Sequence, residues 1–128
     1  MWKPDLNTRG HENDPVIMVM KRGHASGLTV GRLNTIRSFT RYYIKGKPST
    51  MSKEVTVLPR NSKSGPFSKP GDSGSGVIGG KGRIAGLLTG GAGVTDISDC
   101  TYVTSINFLR AHMLMHGLRA NFFPSFAA

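Results

Sequence analysis

Glycine and proline interrupt this chain so often that a bundle of long helices has no room: 17 glycines and 7 prolines fall among 128 residues. Glycine reaches backbone angles closed to other residues, while proline fixes φ and removes a donor, so both gather in turns. The apolar segments between them are short. Val16-Ile17-Met18-Val19-Met20, ended by Lys21-Arg22-Gly23, predicts a buried strand. Gly27–Leu33 and Phe39–Ile44 predict two more, and Glu54–Leu58 alternates polar with apolar until Pro59 stops it. Residues 60–72 are a loop by composition. Ser75–Ile78 and Arg83–Leu88 predict a hairpin across Gly79-Gly80-Lys81-Gly82, and Thr101-Tyr102-Val103 starts a last strand. One helix is expected, capped by Ser105, with Ile106, Leu109 and Met113 on one face and Gly117 at its end. Six or seven short strands and one helix make an all-β chain. Closure into an antiparallel barrel, with the helix C-terminal, removes the sticky edges.

A chain of 128 residues holds one modest domain. No apolar run nears the roughly 18 residues of a membrane span, and Met1-Trp2-Lys3-Pro4-Asp5 lacks the apolar core of a secretory signal. No membrane role is expected. The single cysteine, Cys100, excludes an intrachain disulfide and any cysteine zinc cluster within one chain. Together these point to an intracellular compartment, cytoplasmic or nuclear. No cofactor or metal site is expected. The net charge of +10 is uneven: residues 1–70 hold 13 Lys/Arg against 4 Asp/Glu, and residues 71–128 hold 4 against 3. The cations Arg32, Arg37, Arg41, Lys45, Lys47, Lys53, Arg60, Lys63 and Lys69 are scattered along the chain. A solvated basic surface is the leading reading. A nucleic-acid face over residues 32–69 ranks last among the functional readings, because its aromatic residues are few.

Gly71-Asp72-Ser73-Gly74-Ser75-Gly76-Val77 is the stretch with chemistry in it. A serine hydroxyl is a weak nucleophile until it is aimed and deprotonated. Flanking glycines permit the tight turn that aims it, and such a turn points successive N–H groups into one concavity where an oxyanion can sit. Alone, this stretch is more often an ordinary hairpin loop.

Its context resembles the second barrel of trypsin-like (chymotrypsin-fold, PA-clan) serine proteases. The G-D-S-G motif is followed by a glycine hairpin, then by Arg83-Ile84-Ala85-Gly86-Leu87-Leu88-Thr89-Gly90, then by Thr101-Tyr102-Val103-Thr104 and the terminal helix. Upstream, Lys21-Arg22-Gly23-His24-Ala25-Ser26-Gly27-Leu28-Thr29-Val30-Gly31 is similar to the segment that opens this barrel in intracellular and fungal-type members. The resemblance covers about residues 15–116. It implies a six-stranded second barrel with a C-terminal helix, a remnant of inter-barrel linker in the polar leader 1–14, and a tail over 117–128. It makes Ser73 the nucleophile, the N–H groups of Gly71 and Ser73 the oxyanion hole, and Leu88, Thr89 and Gly90 the residues flanking the substrate backbone. Asp72 matches a position that helps shape the site and is not the triad acid.

The family takes its catalytic His and Asp from a first, N-terminal barrel, and no such barrel is legible here. His11, with Asp14 three residues on, is the one conceivable substitute base. His24 lies in the turn entering the second strand. His112 and His116 stand four apart on the helix, without an evident third metal ligand. Cys100 reads as a small packed thiol. Phe67, six before the serine, occupies a position that often carries an acid for binding Lys or Arg, so a pocket for apolar or small side chains is expected. The expected partners are a peptide or protein substrate and the missing barrel. The leading function is thus the nucleophile-bearing half of a serine endopeptidase, incomplete alone. The alternative is a non-catalytic peptide-binding module or a decayed fragment.

Overall fold

The computed structural model describes residues 17–42, 45–61, 63–92 and 100–122. The expectations for the leader with His11, for Val16, for Tyr43-Ile44 and for the last residues of the tail lie outside these. Six strands and one helix follow in order: β1 (Ile17–Gly23), β2 (Gly27–Tyr42), β3 (Thr50–Pro59), β4 (Gly76–Gly79), β5 (Ile84–Ala92), β6 (Cys100–Ser105) and α1 (Ile106–Met115). All strand pairs are antiparallel. The order β1-β2-β3-β6-β5-β4 closes on itself as a barrel. The architecture is the closed antiparallel barrel with a terminal helix that the strand pattern predicts, with six strands as the resemblance implies, and it is compatible with a chymotrypsin-like barrel.

Alternation of side chains decides what is inside. Ile17 and Val19 of β1, Val55 and Val57 of β3, Val77 of β4, Leu88 of β5 and Val103 of β6 form the core, together with Leu33, Ala85 and the loop residue Phe67. The apolar residues 17–20 are therefore only half buried: Met18 is intermediate and Met20 exposed, because a barrel strand turns just one face inward. The two strands expected over 27–33 and 39–44 are one strand of 16 residues. No glycine or proline separates them, and a bulge between Asn34 and Ser38 absorbs the irregularity without ending the pairing with β3.

The helix starts where expected. Ser105 Oγ accepts from the Asn107 N–H at 3.2 Å, and Gly117 turns left-handed at φ 79° just past the end. Only Ile106 of its apolar residues is buried, whereas Phe108, Leu114 and Met115 are exposed. Ser105→Ala should cost about 1 kcal/mol through the lost cap, read as a lower urea midpoint with an unchanged slope.

Candidate functional site

Register places the β1–β2 turn, Pro59, the start of β4 and the end of β5 at one mouth of the barrel, and the loop before β4 folds across it. Gly71 at φ 102° holds a conformation that a side chain would strain. Past it, consecutive side chains diverge. Asp72 is wholly buried and Ser73 is exposed. The turn is closed by Asp72 N–H to Lys69 O at 3.1 Å, Ser75 N–H to Asp72 O at 3.1 Å and the Ser75 hydroxyl to the same carbonyl at 2.6 Å. It is tied to β5 by Gly74 N–H to Leu88 O at 2.8 Å and Leu88 N–H to Ser75 O at 2.9 Å. Two donors are left over. Among the described residues the N–H groups of Gly71 and Ser73 have no acceptor.

The Asp72 carboxylate fixes this turn to the β1–β2 turn. Its Oδ1 accepts from the N–H of Ala25 at 2.8 Å and of Ser26 at 3.1 Å. Its Oδ2 accepts from Lys69 N–H at 3.0 Å and from the Ser26 hydroxyl. The Lys21 ammonium, itself buried, lies 3.5 Å from Oδ2 and donates to Ser26 Oγ at 2.6 Å and Gly27 O at 3.2 Å. Gly23 leaves the space, since a Cβ there would overlap the carboxylate. Burial pushes the Asp72 pKa up, but the hydrogen bonds from Ser26, Lys69 and Ala25 outweigh it and hold the carboxyl well below its usual range. Burial lowers the Lys21 pKa, and the adjacent carboxylate opposes that.

Lys21 was legible in the sequence as part of a family-like segment, but not as the counter-ion of Asp72. The signal was its parity: with Ile17 and Val19 facing inward, residue 21 must too. A cation at an inward strand position requires an acid from elsewhere in the chain.

The other expected site residues fall as follows. Ser73 Oγ has no hydrogen-bond partner among the described residues. His24 is exposed in the β1–β2 turn and makes no hydrogen bond to it. His112 and His116 lie on α1, where His112 stacks on Phe108 with centroids 5.5 Å apart. Among the described residues no three His, Cys, Asp or Glu side chains cluster to hold a metal. No helix among them is long and apolar enough to cross a membrane. Phe67 is packed in the core, with Lys21 Nζ 5.3 Å from its ring centre. Cys100 is half-buried at the start of β6.

Leu88 turns its side chain into the core, and its backbone is engaged by Gly74 and Ser75. Thr89 sits at a bulge opposite β6, its hydroxyl donating to Tyr102 O at 3.3 Å. β4 pairs with β5 only as far as Leu87. Beyond Leu88, where the turn takes over, β5 therefore keeps β6 on one side and, among the described residues, no strand on the other. That edge begins beside Ser73. No protein-family model matches this chain, and no curated protein matches it.

Proposed function

We propose that the Gly71–Ser75 turn carries out serine-type acyl transfer, as the nucleophile-bearing barrel of a trypsin-like serine endopeptidase. One observation carries the reading: an exposed serine hydroxyl stands on a rigidly anchored turn beside two N–H groups, those of Gly71 and Ser73, that have no acceptor among the described residues. In the reaction Ser73 Oγ attacks the peptide carbonyl carbon, and the oxygen that gains charge is met by those donors. The substrate runs extended along the edge of β5 at Thr89 and Gly90, in the manner of an added strand. The proton of Ser73 Oγ needs a base held by a third group. This reading assigns that pair to a partner barrel outside the described residues. Oxyanion stabilisation alone gives an acceleration on the order of 10³–10⁴ over water, so without a base the serine acylates slowly.

In the complete protein, with the partner barrel that supplies the base, a fluorophosphonate probe should label Ser73, and Ser73→Ala should abolish the adduct. Labelling that survives the substitution removes Ser73 from the mechanism. With Phe67 in place of an acid, cleavage of a peptide library by the complete enzyme should show no preference for sites after Lys or Arg. The second reading, a non-catalytic module that binds peptides along β5, is favoured because, among the described residues, Ser73 Oγ has no hydrogen bond to a base. It requires peptide binding that Ser73→Ala leaves intact and no covalent adduct at any pH.

A further inference from the structure

Strand pairing gathers cations that the sequence disperses. β1 pairs with β2 only up to Leu33, and β6 pairs with β3 only over Val55–Val57. Past the bulge, residues 38–42 and 50–54 pair, among the described residues, only with each other, through Ser38↔Glu54, Phe39↔Lys53, Thr40↔Ser52, Arg41↔Met51 and Tyr42↔Thr50. They form a two-stranded ribbon that leaves the barrel at the mouth opposite Ser73. The two faces of this ribbon differ. One is a ladder of hydroxyls, with Ser38 Oγ 2.6 Å from Thr56 Oγ1 and Thr40 Oγ1 2.8 Å from Ser52 Oγ. The other carries Phe39, Arg41, Met51 and Lys53, all exposed, and Arg37 stands exposed in the bulge at the base of the ribbon. The turn beyond adds exposed Lys45 and Lys47. Glu54 is the one acid in residues 36–60, and it is buried. Phe39 is 67% exposed even with Lys53 Nζ 5.8 Å from its ring centre.

We propose that this ribbon face binds single-stranded nucleic acid, with Arg37, Arg41, Lys53, Lys45 and Lys47 along the phosphates and Phe39 stacked against a base. A row of cations with no acid among them gains from counterion release. An exposed ring between arginines supplies the sequence-tolerant stacking that single strands use and a duplex cannot offer. The alternation argues against an anionic membrane. Phe39 and Met51 sit at mid-ribbon between Arg37, Arg41 and Lys53, so burying them in hydrocarbon would drag the charges in as well. The proposal is independent of Ser73, which lies at the other mouth.

The test is fluorescence anisotropy of the full chain with labelled oligothymidylate and oligouridylate across a salt series. Affinity should fall with a log–log slope of about −3.5 for five neutralised phosphates. The triple variant Arg37→Ala, Arg41→Ala, Lys53→Ala should weaken binding by on the order of tenfold or more and flatten that slope. Phe39→Ala should cost about tenfold at an unchanged slope, the mark of lost stacking. Lys63→Ala, Arg110→Ala, Arg119→Ala, which removes equal charge elsewhere, should leave binding within about twofold. If the triple ribbon variant does not fold, the salt slope and Phe39→Ala decide. Equal loss in the control triple, indifference to Phe39→Ala, or binding only to a duplex, an acidic peptide or phosphatidylserine vesicles would each overturn the proposal.

Discussion

Replacing Asp72 with alanine is expected to lower the unfolding free energy by about 3–5 kcal/mol. That is a large share of the roughly 5–15 kcal/mol that holds a domain together. The loss has two parts. The Lys21 ammonium is left buried without its anion, and the N–H groups of Ala25, Ser26 and Lys69 lose their acceptor at the same stroke. Lys21→Met should cost less, about 2 kcal/mol, because the carboxylate keeps those donors and the Ser26 hydroxyl. The order of the two variants is the diagnostic result. Equal losses in urea unfolding would mean that the ion pair, and not the backbone clasp, holds the turn.

Acid should reproduce part of the Asp72→Ala effect. The folded-state pKa of Asp72 is depressed, so its contribution is complete above the unfolded-state value of about 3.9. It is lost progressively as pH falls below that value toward the folded-state pKa, since there the unfolded chain binds the proton first. The acid limb of the stability curve should flatten in Asp72→Ala. An unaltered limb would show that other carboxylates govern acid unfolding.

Leu88→Ala is the second large effect. Its side chain is 3% exposed within the core, and truncating a buried leucine costs about 2–5 kcal/mol, depending on how far the cavity collapses. The hydrogen bonds that tie the serine turn to β5 are made by the Leu88 backbone, which alanine retains. The variant should therefore unfold early in urea yet keep its fluorophosphonate labelling per folded molecule. Loss of labelling in the fully folded variant would mean that the leucine side chain itself sets the geometry of the turn. Comparison with Asp72→Ala separates packing from positioning: both variants destabilise the barrel, and only Asp72→Ala releases the clasp on the turn.

Much of the architecture was readable along the chain because local pattern and tertiary fold agree here. Ser105 and Gly117 bracket the helix as capping chemistry demands. Glycine and proline mark the turns, and the short apolar runs are the strands. The prominence of Ser73 was readable too, since neighbouring glycines announce a turn that only they can make. Local pattern misled at 34–38, where a bulge joins two expected strands into one. A bulge depends on what the partner strand offers, and its own residues carry no mark of it.

Three features rest on closure of the barrel. Residues 21, 26 and 72 converge only because β1 pairs with both β2 and β4, which brings the first turn of the barrel over the serine loop. Among the described residues the edge of β5 beyond Leu88 is left unpaired because β4 is short. The basic ribbon exists because β2 and β3 outrun their neighbours, so that Arg41 and Lys53, distant in sequence, share one face. Sequence alone carries the turn chemistry, the capping and the inward–outward alternation, all of which act over a few residues. Which distant side chains meet is set by strand register and by which strands are adjacent, and these depend on closing the sheet as a whole.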